Sequence, residues 1–322
     1  MADTRSNENS LESLGLTRTE DNNTSAAGAF NTVAVVGGGT MGKGIAQTIS
    51  RNGIEAILVE KDQQSLKRAL DGLSDQLDAE IDRWGMTESE KRAVLKRVTG
   101  TTDLRDAGDA QIVIEAIDEH LQNKMTLFSK LDAICPDDTL LVTNTASLSV
   151  TEIGSATMRG DRVIGMHFIN PVPKIPLVEL VRGLHTSDTT FNKAKAFAEK
   201  QLGKTAVEVF EYPGGITTRI IVVLLNEAMY ALMEGVAAAE SIDTAIRLGY
   251  NFPVGPLALA DQIGLDELIA WMEALFRELG DQKYRPCPLL RKLVRAGHLG
   301  VKTGRGFFIY NEQGKRMPGS NV

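Results

Sequence analysis

The first two thirds of the chain alternate short apolar runs with longer amphipathic stretches. Runs rich in Val, Ile and Leu, each short enough to be a buried strand, occur at residues 31–36, 54–59, 111–116, 139–144, 161–166 and 176–181. Amphipathic helical patterns occupy 41–51, 62–84 and 119–134, and Thr87 with Glu90 forms a capping-box pattern that opens another helix. This alternation predicts a doubly wound α/β domain with a mostly parallel sheet.

The pattern changes at residues 212–215, Tyr-Pro-Gly-Gly, after which helical periodicity dominates. Helices are predicted at 216–234, 242–248, 256–279 and 288–296, which indicates an all-α C-terminal domain. Residues 1–29 contain few large apolar side chains and are predicted to be a flexible tail. The predicted domains are therefore 30–211 for the α/β part and 212–322 for the helical part.

The first helix of the second domain is apolar nearly all round. Its segment from Ile220 to Leu225 contains no polar residue. A helix of this kind has to be covered by protein. A homodimer interface or an intramolecular core could supply that cover, and the pattern alone favours neither.

A glycine-rich turn joins the first predicted strand to the helix that follows it. Gly37, Gly39 and Gly42 have the spacing G-x-G-x-x-G, and Thr40 and Met41 open the helix. In a Rossmann-type site the first glycine permits the tight turn, the second admits a pyrophosphate to the helix N-terminus, and the third lets helix and strand pack closely. The sequence therefore predicts a bound dinucleotide at this turn.

An acidic residue follows the second predicted strand. Glu60 lies eighteen residues beyond Gly42, close to the distance at which a carboxylate meets the adenosine ribose. A carboxylate accepts a hydrogen bond from the 2′-hydroxyl of NAD and repels the 2′-phosphate of NADP. The position favours NAD, although the neighbouring Lys61 weakens the argument.

His167 and Glu179 lie on either side of a turn that contains three prolines. Prolines exclude a continuous helix or a central strand there, so the turn can return the carboxylate to the imidazole. An imidazole can accept a proton near neutral pH, and a carboxylate on its other nitrogen fixes the tautomer and stabilises the imidazolium. A histidine beside a strand can also be purely structural, so the pair alone leaves catalysis and packing both open.

Composition and charge exclude several classes of protein. The 322 residues are 43% hydrophobic, as in ordinary globular proteins, and the net charge of -7 argues against nucleic acid as a partner. The sequence has no apolar stretch long enough to span a bilayer and no signal-peptide pattern at its start, so we expect a cytoplasmic protein without membrane association. Cys135, Cys287 and the histidines lack the spacing of metal ligands, and no metal is expected.

The chain resembles the 3-hydroxyacyl-CoA dehydrogenase family, particularly its bacterial 3-hydroxybutyryl-CoA members, from about residue 31 to 310. The shared motifs are the glycine loop at 37–42, residues 113–116, Asn-Thr-Ala-Ser-Leu at 144–148, the run from His167 to Glu179, and residues 255–257, 283–286 and 302–307. The resemblance implies an N-terminal NAD domain and a C-terminal helical domain that forms a homodimer. It also implies reversible hydride transfer between NAD and the 3-position of an acyl thioester, within fatty acid metabolism.

The resemblance also implies roles for single residues. His167 matches the general base of the family and Glu179 its orienting partner. Beyond the glycine loop and Glu60, the positions that line the cofactor correspond to Ala116, Glu119, Lys124, Asn144, Asn170 and Lys302.

Positions beside the expected substrate depart from the family pattern. Ala146 replaces a serine that donates a hydrogen bond to the reacting oxygen, while the second serine is kept as Ser147. Thr218 replaces an asparagine that reaches the active site, and Gly215 replaces an aromatic residue. Because a lost neutral hydrogen bond costs about 0.5 to 1.5 kcal/mol, we expect catalysis to be weakened rather than abolished.

Three explanations of these departures are open. The protein could be an ordinary dehydrogenase of low activity, or a relative that oxidises a substituted thioester, such as a glyceryl thioester, on CoA or acyl carrier protein. It could also be an NAD-binding protein with little or no turnover. The retention of His167, Glu179, Lys124, Asn144 and Asn170 favours an enzyme.

Overall fold

The computed structural model describes residues 29–82 and 85–321. The predicted tail therefore lies outside the described residues except for Ala29, and so does Trp84, the predicted end of a helix. The strands are β1 Thr32–Val36, β2 Glu55–Val59, β3 Val98–Thr101, β4 Ile112–Glu115, β5 Leu140–Thr143, β6 Val163–Phe168, β7 Leu177–Arg182, β8 Thr205–Phe210, β9 Phe308–Tyr310 and β10 Arg316–Asn321. The helices are α1 Thr40–Arg51, α2 Gln63–Asp82, α3 Glu88–Lys96, α4 Leu121–Ile134, α5 Val150–Gly154, α6 Asp188–Ala196, α7 Thr217–Met233, α8 Ala239–Gly249, α9 Pro256–Ile263, α10 Leu265–Leu279 and α11 Pro288–Arg295.

The sheet has the order β3-β2-β1-β4-β5-β6-β7-β8. Strands β1 to β6 are mutually parallel, β7 is antiparallel to β6, and β8 is parallel to β7. The chain leaves β1 toward β2 on one side and returns to β4 on the other, which creates a crevice at the carboxyl ends of β1 and β4. The predicted fold class, a mostly parallel doubly wound sheet followed by a helical domain, is confirmed.

Apolar layers cover both faces of this sheet. Val33 and Val35 of β1 pack with Ile45 of α1, whereas Ala34, which points to the opposite face, packs with Phe128 of α4. A separate core fills the helical domain and is built largely from α7, α9, α10 and α11. Because helices pack against both faces of the sheet, the strand ends that carry the loops at its carboxyl edge are held in place.

The elements differ from their predictions in three ways. The single helix predicted at 256–279 is wrong, because Gly264 adopts a φ of +106° and separates α9 from α10. Strand β6 is displaced along the chain, so that His167 lies within the strand rather than after its end. Strands β3, β8, β9 and β10 and helices α5 and α6 are absent from the predictions. The sequence of β3, Val-Thr-Gly-Thr, is too short and polar for hydrophobic periodicity to detect.

A buried carboxylate ties α9 to the β9 segment. Asp261, which is 1% exposed, accepts hydrogen bonds of 2.9 Å from the N–H groups of Phe307 and Phe308 and from the hydroxyl of Tyr310. Burial outweighs these hydrogen bonds and raises the pKa of Asp261 to about 6. The folded protein therefore favours the protonated carboxyl more strongly than the unfolded chain does.

This shift predicts an unusual pH dependence of stability. Since the folded state binds the proton more tightly, the contribution of Asp261 to the free energy of unfolding should fall as the pH rises from about 4 to about 6, by about 3 kcal/mol in all. Urea unfolding of the wild type and of Asp261→Asn between about pH 4 and about pH 7 measures the difference in their free energies of unfolding. The stability advantage of the wild type should shrink with rising pH, and an advantage that grows with pH would refute the assignment.

Candidate active site

The antiparallel pairing of β6 with β7 brings the predicted acid/base pair together. His167 and Glu179 are directly opposite in the register, and Nδ1 of the imidazole lies 3.0 Å from Oε2 of the carboxylate. The residues are 7% and 1% exposed. With Nδ1 held by the carboxylate, Nε2 is the nitrogen that can exchange a proton with a ligand.

Glu179 also connects the sheet to the helical domain. Its Oε1 accepts a 2.7 Å hydrogen bond from the backbone N–H of Thr217, the first residue of α7. Burial favours the neutral acid, but the hydrogen bond and charge of His167 and the N–H of Thr217 outweigh it and hold the pKa of Glu179 below its ordinary value. Glu179 is therefore an anion at neutral pH and can stabilise a protonated imidazole.

The glycine turn has the geometry of a pyrophosphate site. Gly37 adopts a φ of +100°, and a Cβ there would lie 2.6 Å from the carbonyl oxygen of Ala116. A Cβ on Gly42 would lie 1.7 Å from the carbonyl oxygen of Gly37. A Cβ on Gly39, in contrast, would meet no protein atom within 4 Å. Since Gly39 immediately precedes α1, open space faces the helix N-terminus where N–H groups can bind an anion.

Glu60 lies against the same turn. Its Oε1 accepts a 2.6 Å hydrogen bond from the N–H of Gly38, and its Oε2 accepts one of 3.1 Å from the N–H of Lys61. The carboxylate is thus fixed between the end of β2 and the glycine loop. This position fits the ribose of a dinucleotide whose pyrophosphate lies at α1, so the chain's own residues fit NAD.

A single carboxylate oxygen organises the loop that follows β5. Oε1 of Glu119 accepts hydrogen bonds from the hydroxyl of Thr145 at 2.5 Å, the N–H of Ala146 at 2.9 Å, and both the N–H and the hydroxyl of Ser147 at 3.1 Å. The retained serine, Ser147, therefore donates its hydroxyl to Glu119. We therefore do not expect it to replace the donor that the family resemblance implies at position 146.

A buried ion pair lies beneath this loop. Nζ of Lys124 is 2.5 Å from Oε1 of Glu115 and 3.4 Å from Oε2 of Glu119. The side chains of Lys124 and Glu115 are at most 1% exposed, and Thr143 donates a 2.7 Å hydrogen bond to Glu115. Burial raises the pKa of Glu115, and the charge of Lys124 opposes this shift. Lys124 therefore links two carboxylates at the carboxyl edge of the sheet, and its contact with the cofactor stays a prediction.

The other predicted site residues are distributed over both domains. Oδ1 of Asn144 accepts a 3.0 Å hydrogen bond from the N–H of Phe168, next to His167. Asn170 is exposed at the start of the proline turn, and Thr218 is buried in the first turn of α7. Lys302 forms a 2.6 Å ion pair with Asp266 of α10.

Within residues 29–82 and 85–321, no group of three or more His, Cys, Asp or Glu side chains could hold a metal ion.

Sequence reasoning missed two residues that organise this edge, Glu115 and Thr145. Glu115 is the last residue of β4 and Thr145 is the second residue after β5, both at the sheet edge where open α/β proteins bind ligands. These positions could have indicated both residues. Lys124 and Glu119 were predicted from the family resemblance, but their contacts with Glu115 and Thr145 could not be predicted from local patterns.

The open space at Gly39 permits a selective test of the cofactor site. We expect Gly39→Ala to raise the dissociation constant of NADH at least about tenfold, because the added methyl group would occupy the approach to the helix N-terminus. The melting temperature should stay close to that of the wild type, since no protein atom is displaced. NADH fluorescence titration and thermal unfolding measure the two effects. Unchanged NADH affinity would be inconsistent with this binding mode.

Gly42→Ala is the matched variant for this experiment. Its methyl group would clash with the backbone of Gly37, so it should lower the melting temperature as well as cofactor affinity.

Comparison with protein families gives matches to both parts of the chain. The profile of the 3-hydroxyacyl-CoA dehydrogenase NAD binding domain matches residues 32–212, and the profile of the 3-hydroxyacyl-CoA dehydrogenase C-terminal domain matches residues 214–310. A probable 3-hydroxybutyryl-CoA dehydrogenase of Bacillus subtilis (strain 168) is 48% identical over 281 residues, covering 87% of this chain and 98% of the relative. The 3-hydroxybutyryl-CoA dehydrogenase of Clostridioides difficile is 44% identical over 280 residues, covering 87% and 99%.

Solved structures agree with these sequence relatives. The crystal structure of (S)-3-hydroxybutyryl-CoA dehydrogenase PaaH1 from Ralstonia eutropha superposes with a TM-score of 0.80 at 43% identity, covering 88% of this chain and 100% of the other. The crystal structure of FadB2 from M. tuberculosis gives a TM-score of 0.86 at 38% identity, with 88% and 100% coverage.

Proposed function

Because the chain belongs to the 3-hydroxyacyl-CoA dehydrogenase family, we propose that it interconverts 3-hydroxybutyryl-CoA and acetoacetyl-CoA, as a step of short-chain fatty acid metabolism. It is an NAD-dependent oxidoreductase. The observation that carries the proposal is the 3.0 Å contact between His167 and Glu179, near the carboxyl edge that also bears the glycine turn. The names of the relatives at 48% and 44% identity support the choice of substrate.

The mechanism assigns the proton to His167. Nε2 accepts the proton of the 3-hydroxyl group while the hydride of the same carbon leaves, and in the reverse direction the imidazolium returns that proton to the oxygen. Glu179 keeps Nδ1 protonated and stabilises the positive charge. When bound, NAD accepts or supplies the hydride. Such base catalysis contributes about 10²- to 10⁴-fold to the rate.

The substrate oxygen has lost one expected donor. Ala146 carries no hydroxyl, and the hydroxyl of Ser147 is directed at Glu119 at 3.1 Å. The developing alkoxide therefore receives its hydrogen bond and its proton from the imidazolium of His167. We infer that the protein is an active but comparatively slow dehydrogenase.

Restoring the donor should accelerate the reaction. We expect Ala146→Ser to raise kcat/KM for acetoacetyl-CoA about three- to tenfold, because one neutral hydrogen bond contributes about 0.5 to 1.5 kcal/mol. Steady-state assays that follow NADH absorbance measure the change in kcat/KM, with Ala29→Ser, at an exposed position outside the helices and strands, as the control. A variant that is no faster than the wild type would show that the missing hydroxyl does not limit this substrate.

A substrate panel tests the proposed function itself. Wild-type protein with NADH should reduce acetoacetyl-CoA faster than acetoacetyl acyl carrier protein. With NAD it should oxidise 3-hydroxybutyryl-CoA in preference to glyceryl thioesters on either carrier. Selective use of a glyceryl thioester would overturn the proposal, and so would NADH binding without turnover of any thioester.

We further propose that the helical domain forms a homodimer. Helix α7 buries Val222, Leu225 and Met229 in the intramolecular core, but Ile220 on the same helix is 64% exposed. Leu248, at 71% exposure, is another large apolar side chain on the surface of this domain. Contiguous exposed apolar patches are typical of surfaces that bind protein, and we propose that these side chains belong to one such patch. Light scattering should give the mass of a dimer for the wild type and of a monomer for Ile220→Glu; a monomeric wild type at about 10 μM would contradict the proposal.

A further inference from the structure

Lys204 is a buried cation between the π-helical turn at Phe197–Gln201 and strand β8. Its residue is 6% exposed, and burial lowers the pKa of its ammonium group. Its Nζ donates 2.7 Å hydrogen bonds to the carbonyl oxygens of Val172 and Ile175. Within the described part of the chain, no carboxylate forms an ion pair with it. Backbone dipoles therefore provide the contacts that offset the cost of burying this charge.

Both carbonyl groups belong to the turn that joins His167 to Glu179. The backbone of the same segment is held at its far end, where the N–H of Thr205 donates a 2.7 Å hydrogen bond to the carbonyl oxygen of Pro176. Lys204 thus binds the middle of the turn while the adjoining residue of β8 binds its end. A turn rich in proline has few N–H donors of its own, so an external donor is needed for its carbonyl groups.

The turn also packs against the cofactor helix. Val172 is 1% exposed, and a Cβ added to Gly44 of α1 would lie 3.1 Å from the Cβ of Val172. The side chain of Val172 therefore rests on the backbone of α1, while its carbonyl oxygen is bound by Lys204. A shift of Val172 would move the turn relative to the helix whose N-terminus faces the cofactor site.

We propose that Lys204 is a positioning residue whose ammonium group holds the turn between His167 and Glu179 in place against α1. By binding two main-chain carbonyl groups, it fixes the acid/base pair relative to the cofactor and contacts neither the thioester substrate nor the cofactor. This role rests on the proposed dehydrogenase function. Lys204 is more than twenty positions from the acid/base pair and from the cofactor site in the sequence.

The test compares Lys204→Met, Lys204→Arg and the control Lys200→Met, which changes an exposed lysine in the same connection. We expect Lys204→Met to lower kcat for acetoacetyl-CoA reduction about tenfold, since a displacement of about 1 Å can cost up to 10²-fold. The rate constant of NADH oxidation in a single turnover, with enzyme in excess over acetoacetyl-CoA, should fall as well because misalignment slows hydride transfer itself. The dissociation constant of NADH should rise about threefold or more, as misalignment of the cofactor site predicts.

Lys204→Arg retains a cation with several donors and should recover both kcat and NADH affinity to within about twofold of the wild type. Lys200→Met should match the wild type. If Lys204→Met does not fold, Lys204→Gln carries the same expectations, because its amide nitrogen is uncharged and one atom closer to the backbone than Nζ, too short to bind both carbonyl groups.

Two results would overturn the assignment. One is a Lys204→Met enzyme whose kcat and NADH affinity both stay within about twofold of the wild type. The other is a lower kcat with an unchanged single-turnover rate constant and unchanged NADH affinity, which indicates loss of folded enzyme alone. If the wild type does not reduce acetoacetyl-CoA, the proposed function fails, whereas NADH titration of the variants still tests Lys204.

Discussion

His167→Gln should lower kcat for acetoacetyl-CoA reduction by about 10²- to 10⁴-fold, the usual contribution of a general acid or base. Glutamine preserves polarity and much of the side-chain volume, but it cannot carry a proton to the substrate oxygen. Since Nδ1 of His167 contacts Glu179 rather than the glycine turn, cofactor binding should be spared.

Steady-state kinetics and NADH titration separate the two properties. The dissociation constant of NADH should stay within about twofold of the wild type, so that the loss appears in turnover. A variant that keeps kcat within about threefold of the wild type would remove His167 from the mechanism.

Glu179→Gln should lower kcat by about 10²-fold or more, because it removes the charge that stabilises the imidazolium and disturbs the tautomer. The large expected loss of kcat follows from the contacts of both carboxylate oxygens. Oε2 of Glu179 faces Nδ1 of His167 at 3.0 Å, and Oε1 accepts from the N–H of Thr217 at 2.7 Å. An amide has one accepting oxygen, so at least one of these contacts must face an N–H₂ group.

The matched control is Glu199→Gln, which removes one negative charge at an exposed position. It should change neither kcat nor melting temperature appreciably. Glu179→Gln should lose melting temperature as well, since it leaves a mismatched donor in a buried position. Turnover by Glu179→Gln within about threefold of the wild type would show that the carboxylate does not act on the imidazole.

The sequence predicts most helices and strands of the fold well because they depend on local hydrophobic periodicity. The alternation of apolar runs with amphipathic stretches gives the parallel sheet, and the change at 212–215 leads into the helical part. The G-x-G-x-x-G turn lies between β1 and α1 as its spacing predicts. The resemblance to the 3-hydroxyacyl-CoA dehydrogenase family and the choice of NAD are confirmed.

The acid/base pair was accessible to the same reasoning for a different reason. Prolines restrict the turn, and two strands that flank a short turn tend to pair in antiparallel register. His167 and Glu179 are paired in that way. Their catalytic roles stay predictions until the variants are measured.

Long-range polar contacts could not be predicted. Glu119 binds the Thr145 hydroxyl 26 positions away, and Lys204 binds Val172 32 positions away. Neither contact leaves a periodic trace, because hydrogen bonding depends on side-chain direction after the sheet has formed. The end of α9 at Gly264 was missed because an isolated glycine inside a helical pattern is usually tolerated. Here the signal is local but ambiguous.

A double-mutant cycle on His167 and Glu179 tests most directly whether the two residues act as one catalytic unit. If the carboxylate acts through the imidazole, Glu179 has nothing left to orient once His167 is replaced. The enzyme with both His167→Gln and Glu179→Gln should therefore have a kcat within about threefold of His167→Gln alone. If the two losses multiply instead, the residues act independently, and Glu179 does not orient His167 for catalysis.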